Sequence, residues 1–368
     1  MIYDAIVAGG GPAGAVSAYF LARKGLKVLL LEKDRPGRYK CCAGGVTSKI
    51  QSLLDFDLSP CWETSVRGVV FSWLGEERHC LESEEELGWV TRREVFDFFL
   101  QEAARRAGTE IRYGEPLQAL DQDQYKVTVH TPKRSFSGRI LVGADGAKSQ
   151  TASLLKLKTL RASGFALEAR LEVSEQTLKD RGRFLYFDLG SPVQGYCWIF
   201  PRRDHLSAGV AARRPPLLPL RIQLKEYLER EGLLDTWPRA RVRGGYIRSS
   251  INLSRLHRGR CLLAGDAAGL CDRLTGEGIY PAALSGRLAA EAITAFLSGE
   301  KPLEDYKRLV RARLGSDLFW ANLISRVLDR FPRKIYEMVL SSHDRVLKLS
   351  QLALGRTNYR RLVGFWKK

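Results

Sequence analysis

Apolar and polar positions alternate with a period that changes several times along the chain, and those changes mark its elements. Residues 3–8 read as a short buried strand, residues 12–23 as an apolar helix, and residues 27–31 as a second strand ending at Glu32. This strand–helix–strand unit implies a parallel sheet. A period of two returns at residues 66–73, 126–130 and 135–141, the last two as a hairpin, and residues 94–107 read as a helix. Residues 164–172, 183–188, 196–200 and 206–211 favour β structure by residue type and alternation, which predicts an antiparallel sheet in the middle of the chain. Pro215, Pro216 and Pro219 end that run ahead of a helix at 222–230. A short buried strand at 261–264 leads through a loop, 265–278, into a long helix ending near residue 297, and from Pro302 onward the pattern is helical and basic.

Two glycine-rich turns sit at strand ends. Gly9, Gly11 and Gly14 fall between the first strand and the first helix, with acidic Glu32 closing the next strand. Glycines let the backbone approach a pyrophosphate, the helix N-terminus stabilises its charge, and Glu32 suits a ribose hydroxyl. A tight strand-to-helix turn with a surface Glu is the plainer alternative. The second turn, Gly265-Asp266-Ala267-Ala268-Gly269, places an acid and backbone amides at another helix start. That arrangement suits the ribityl and pyrophosphate portion of FAD, with Asp266 accepting a hydroxyl hydrogen bond, whereas an NAD site would usually be complete within the first half of such a fold.

With these motifs in place, the chain resembles the geranylgeranyl reductase family, within the wider group of flavoproteins built like aromatic hydroxylases. The loop Lys40-Cys41-Cys42-Ala43-Gly44-Gly45 is similar to the family's Lys-x-Cys-Gly-Gly-Gly, with Ala43 in place of a glycine. The segment 196–202 is similar to its YxWxFPK signature, with Arg202 in place of lysine. The stretch from Gly265 through Gly276, Gly278 and Ile279 resembles its second FAD motif, with Arg273 where proline is usual. Arg93 resembles an arginine that contacts the FAD pyrophosphate, and Asp145-Gly146 an internal turn of the group. The resemblance implies FAD as cofactor and reduction of isolated carbon–carbon double bonds in an isoprenoid chain. It implies an active-site role for Cys42, in proton transfer or flavin tuning, with Lys40 favouring its thiolate. It also implies a substrate cavity wall at Tyr196, Trp198 and Phe200, for which core packing is the plainer reading. The electron donor is NADPH or reduced ferredoxin, and the substrate a prenyl diphosphate or a prenylated lipid or pigment.

The fold class expected is therefore α/β: an FAD-binding Rossmann-like domain (residues 1–65, 88–160 and 255–300) interleaved with an antiparallel-sheet substrate domain (66–87 and 161–254), plus a helical basic C-terminal region (301–368). Composition changes this picture little, since 45% hydrophobic and 27% charged residues describe an ordinary folded protein. Lys and Arg exceed Asp and Glu by 59 − 41 = 18, which favours anionic partners without choosing among them. Basic residues Arg345, Lys348, Arg356, Arg360, Arg361, Lys367 and Lys368, interleaved with Leu347, Leu349, Leu352, Leu354, Phe365 and Trp366, suit either a packed solvated tail or docking on an anionic membrane surface. Seven cysteines without zinc spacing imply free thiols, no metal and a cytoplasmic location, peripheral on a membrane if the tail docks. An FAD-dependent aromatic hydroxylase is the nearest alternative. A basic nucleic-acid-binding protein is a distant one, because no recognition fold or zinc spacing supports it.

Overall fold

The computed structural model describes residues 1–157, 164–191, 194–213, 218–250, 252–340 and 342–366; Pro215, Pro216, Lys367 and Lys368 lie outside them. The chain divides into two compact units. Unit 1 comprises Met1–Tyr39, Arg93–Ala162 and Ile247–Phe319, and unit 2 comprises Lys40–Arg92, Ser163–Tyr246 and Trp320–Lys368.

Unit 1 is built on a mixed sheet. Strand Ile2–Ala8 lies between Val28–Glu32 and Ser135–Gly143, parallel to both, with Glu110–Tyr113 and Cys261–Leu263 added in parallel outside them. Ala5, Ile6, Val7, Leu29, Leu30, Ile140, Leu141 and Val142 are fully buried, as strands covered on both faces require. The antiparallel hairpin expected at 126–141 is present as Val127–His130 paired with Ser135–Gly143. Helix Pro12–Arg23 packs against helix Ile279–Leu297, and Gly286 makes this possible: a Cβ there would stand 2.2 Å from the Ala13 carbonyl oxygen.

Unit 2 holds a sheet in which Gly164–Leu171, Leu206–Ala212, Gly195–Pro201 and Phe184–Leu189 are consecutive antiparallel neighbours, followed by Gly68–Trp73 in parallel. Two strands not anticipated from the sequence, Arg241–Ile247 and Glu76–Glu82, form its edges. Edge strands tolerate charge on both faces, and Glu76, Glu77 and Arg78 hide the alternation a strand would otherwise show. One face of this sheet is covered by helix Leu220–Arg230, with Cys197, Ile199, Ala208, Val210, Leu224 and Leu228 in a common core.

The unit boundaries differ from those expected. Residues 40–65 and 88–92 group with the antiparallel unit, because strands Gly45–Thr47 and Thr64–Val66 both pair with Gly88–Val90. The C-terminal region is divided: the buried Tyr306 hydroxyl donates to the Leu263 carbonyl in unit 1, whereas residues from Trp320 onward belong to unit 2. Among the described residues, no helix is long and apolar enough to cross a membrane.

Candidate functional site

In unit 1 the first strand delivers a turn in which each glycine has a distinct reason. Gly9 has φ +104°, and a Cβ on it would lie 2.4 Å from the Ala144 carbonyl oxygen. A Cβ on Gly14 would lie 1.8 Å from the Gly9 carbonyl oxygen, so nothing larger lets the helix start so close to the strand. Gly11 is different: its missing Cβ faces guanidinium nitrogens of Arg38 at 3.7 Å and Arg93 at 4.0 Å. No side chain caps helix Pro12–Arg23 there. An uncapped helix N-terminus beside two arginines could hold a diphosphate.

Asp97 holds both guanidiniums. Arg93 donates to it twice at 2.8 Å, and Arg38 donates at 3.0 Å. Arg38 was not anticipated, because an arginine in a basic, proline-containing loop carries no local signal of its partner. Glu32, buried at the end of its strand, accepts from the Gly10 amide at 2.7 Å and the Asp34 amide at 3.0 Å, which fixes its carboxylate against the turn.

The second motif lies at the neighbouring strand end. Gly265 has φ +59° and donates its amide to Ser285 Oγ, which orients the turn bearing Asp266. The missing Cβ of Gly278 faces Asp266 Oδ1 at 3.5 Å, and Ile279 begins the long helix. Asp272 shapes the intervening loop by accepting the Leu274 and Thr275 amides, and Gly276, at φ +75°, donates to the Asp272 carbonyl. Asp145 accepts from Ser149 Oγ, Thr151 Oγ1 and the Thr151 amide, so its carboxylate anchors the short helix Gln150–Leu154.

Arg248, also unanticipated, is 9% exposed and donates to the Ala147 carbonyl at 3.3 Å, while its Nε has no hydrogen-bond partner. Burial lowers its pKa, and the Asp145 and Asp266 carboxylates act against that shift.

In unit 2 the sheet face opposite helix Leu220–Arg230 carries the aromatic signature. The register puts Phe71, Phe187, Trp198, Gly209 and Glu168 in one row across five strands. Tyr196 and Phe200 flank Trp198 on the same face, and Phe187 meets each of them edge-on at 5.6 and 5.4 Å between ring centroids. Gly209 makes room for the Trp198 ring, which a Cβ would meet at 2.1 Å. The Trp198 indole N–H is buried without a partner.

The cysteine loop lies on this face. The Cys42 amide donates to Glu168 Oε2 at 3.0 Å, and Glu168 Oε1 accepts from Ser207 Oγ at 2.8 Å. Arg202 donates to the Ala43 carbonyl at 2.7 Å and pairs with Glu63, which also holds Arg92 at 2.6 Å. Gly44 has φ +74°, and a Cβ there would strike Thr91 and Arg202; a Cβ on Gly45 would press on the Phe200 ring. The two neighbouring thiols have separate partners, Cys42 Sγ accepting from the Gly44 amide and Cys41 Sγ donating to the Arg243 carbonyl. Lys40 is half-buried at the start of the loop. Cys61 and Cys261 are pushed up to about 12 by burial and remain thiols at neutral pH. Among the described residues, no group of His, Cys, Asp or Glu is placed to hold a metal ion.

Comparison with known proteins agrees with both halves. Residues 4–93 match a model of FAD dependent oxidoreductases and residues 75–206 a model of FAD binding domains. A geranylgeranyl diphosphate reductase of Rhodobacter capsulatus is 33% identical, over 83% of this chain and 78% of its own. A digeranylgeranylglycerophospholipid reductase of Methanocaldococcus jannaschii is 30% identical, over 89% and 88%. The fold matches a geranylgeranyl bacteriochlorophyll reductase-like protein of Thermoplasma acidophilum with a TM-score of 0.82, 24% identity, and coverage of 100% and 98%. The chain therefore belongs to the geranylgeranyl reductase family and is an FAD-dependent oxidoreductase.

Proposed function

We propose that this enzyme saturates isolated double bonds of an isoprenoid chain carried by a prenyl diphosphate or a prenylated lipid or pigment. The observation that carries the reading is the row of aromatic side chains in unit 2 with the cysteine loop fixed across it. An isolated alkene accepts hydride poorly, so its reduction needs a strong donor, a proton, and surroundings that tolerate positive charge on carbon. Reduced FAD supplies the hydride when bound. The residues of unit 1 suit its retention: Arg38, Arg93 and the Gly9, Gly11 and Gly14 backbone for the diphosphate, Glu32 for a ribose hydroxyl, and Asp266 for the ribityl chain. Asp145 contributes by fixing the segment beside Gly9.

In unit 2 the Tyr196, Trp198 and Phe200 rings exclude water from the chain, and their π faces stabilise cationic character on it. Cys42 Sγ–H gives the proton that completes the saturated carbon. Glu168 and Arg202 hold the loop that presents it, through its backbone at residues 42 and 43.

Mass spectrometry of geranylgeranyl diphosphate, after incubation with the dithionite-reduced flavoprotein under argon, tests this reading. Stepwise gain of hydrogen pairs is expected; an unchanged chain beside visibly reduced flavin, for the diphosphate and for prenylated lipids alike, would sink it. Oxygen-dependent NADPH consumption stimulated by a phenol would instead favour the aromatic hydroxylase. The reductant is NADPH or reduced ferredoxin, and anaerobic bleaching of the flavin by one of them identifies it.

A further inference from the structure

The C-terminal residues expected to reach a membrane are partly packed where they are described. Leu349, Leu352 and Leu354 are half-buried and Leu362 is buried, which leaves Leu347 exposed; the side chains of Phe365 and Trp366 lie outside the described residues. An apolar face lies earlier in the chain. Leu323, Val327, Phe331 and Met338 are 41%, 42%, 49% and 37% exposed.

Leu323, Val327 and Phe331 share one side of one helix and its last turn, and Met338 lies in the next helix. Helices Ser316–Arg330 and Pro332–Leu340 meet at Phe331, yet the Phe331 amide donates to the Val327 carbonyl at 2.9 Å and the Ile335 amide to the Phe331 carbonyl at 3.0 Å. Two backbone bonds thus span the joint, and Pro332, which has no N–H, interrupts the ladder between them. At about 100° per residue Leu323, Val327 and Phe331, the last tied by its amide to Val327, fall within an arc of roughly 80°, and Met338 is exposed in the helix that follows. The opposite side is firmly packed: Ala321, Ser325, Tyr336 and Leu340 are buried, Asp329 pairs with Arg213, and the Tyr336 hydroxyl donates to the Glu77 carbonyl. A helix at a protein surface ordinarily turns polar residues outward. Here the outward side is apolar although the inward side is satisfied.

We propose that this face docks on an anionic lipid bilayer. Arg326 and Arg330 are exposed along one margin of the apolar stripe, with Lys334 exposed in the helix that follows, and the Arg330 guanidinium lies 5.8 Å from the Phe331 ring centroid. Residues 320–366 carry nine Lys and Arg against three Asp and Glu. Of those three acids, Asp329 is turned inward on Arg213 and Glu337 is bonded to Arg333. An apolar stripe edged by cations is the pattern of a helix lying in a membrane interface, apolar side chains among the acyl chains and cations at the phosphates. A second copy of the chain fits poorly, because a two-fold contact through this face would set its cations against their own kind.

The surface is independent of the reductase reading, and vesicle binding without substrate tests it separately. The FAD-loaded full-length protein is sedimented at moderate salt with phosphatidylcholine vesicles, with and without phosphatidylglycerol. Binding is expected to the anionic vesicles and to weaken as salt rises. The paired changes Leu323→Ser with Phe331→Ser, and Arg326→Glu with Arg330→Glu, should each weaken it at least about tenfold while leaving the melting temperature and bound flavin unchanged. The control pair Leu347→Ser with Lys348→Glu should bind as the unaltered protein does. The proposal is overturned by absent binding, by equal binding to neutral vesicles, by loss in the control pair alone, or by a vesicle-free dimer that the Leu323 and Phe331 changes dissolve.

Discussion

At the scale of single residues, the loop bearing Cys42 depends on buried charges. Arg202 and Glu63 are 3% and 6% exposed at their side chains, so Arg202→Ala leaves Glu63 with Arg92 alone and should cost about 3 kcal/mol in chemical denaturation. Arg202→Lys, with one nitrogen in place of the fork, is expected to keep either the Ala43 carbonyl or Glu63 and to recover part of that loss. His205, which precedes the buried Leu206, is pulled down to about 4, chiefly by burial and against the Asp204 hydrogen bond. The unfolded chain then binds the extra proton first, so stability present above pH 6.5 is lost as pH falls toward 4. His205→Gln should flatten that part of the melting temperature profile; an unchanged slope would exclude His205 as its source. The glycine turns were legible in the sequence because only glycine fits them and their spacing is local, whereas Cys42 was marked out by the family resemblance alone. Arg38, Glu63, Glu168 and Arg248 were not, because each acquires its meaning from a partner distant in the chain; Glu168 reads as an ordinary polar position on an alternating strand.

At the scale of elements, strand Gly195–Pro201 divides its work between its two faces. Ile199 and Cys197 face helix Leu220–Arg230, and Tyr196, Trp198 and Phe200 face the cysteine loop side. Ile199→Ala should therefore cost about 3 kcal/mol of stability. Tyr196→Phe should change stability by less than about 1 kcal/mol and show its effect in turnover of the prenyl substrate. Gly209→Ala should displace the Trp198 ring, visible as altered near-ultraviolet dichroism with the far-ultraviolet signal retained. The central strands were read correctly from their alternation, whereas the edge strands Glu76–Glu82 and Arg241–Ile247 were not, since an edge needs no continuous apolar side.

At the scale of the molecule, an excess of 18 positive charges bears on every encounter with an anion, whether diphosphate, phosphorylated nucleotide or acidic electron carrier. The rate of flavin reduction by an anionic donor should fall steeply as ionic strength rises, while reduction by a neutral dye should not; stopped-flow absorbance separates the two. The division of labour was legible in outline, as two glycine-rich turns and a β-rich middle, but the boundaries at 40–65 and 301–319 depended on pairings the sequence does not announce. Glu168 grips the backbone of residue 42 rather than its side chain. Residue 42 is thus held through its main chain by Glu168 and through its side chain by the Gly44 amide: serine can keep both contacts and alanine only the first, so the two substitutions separate the scaffold from the group it displays.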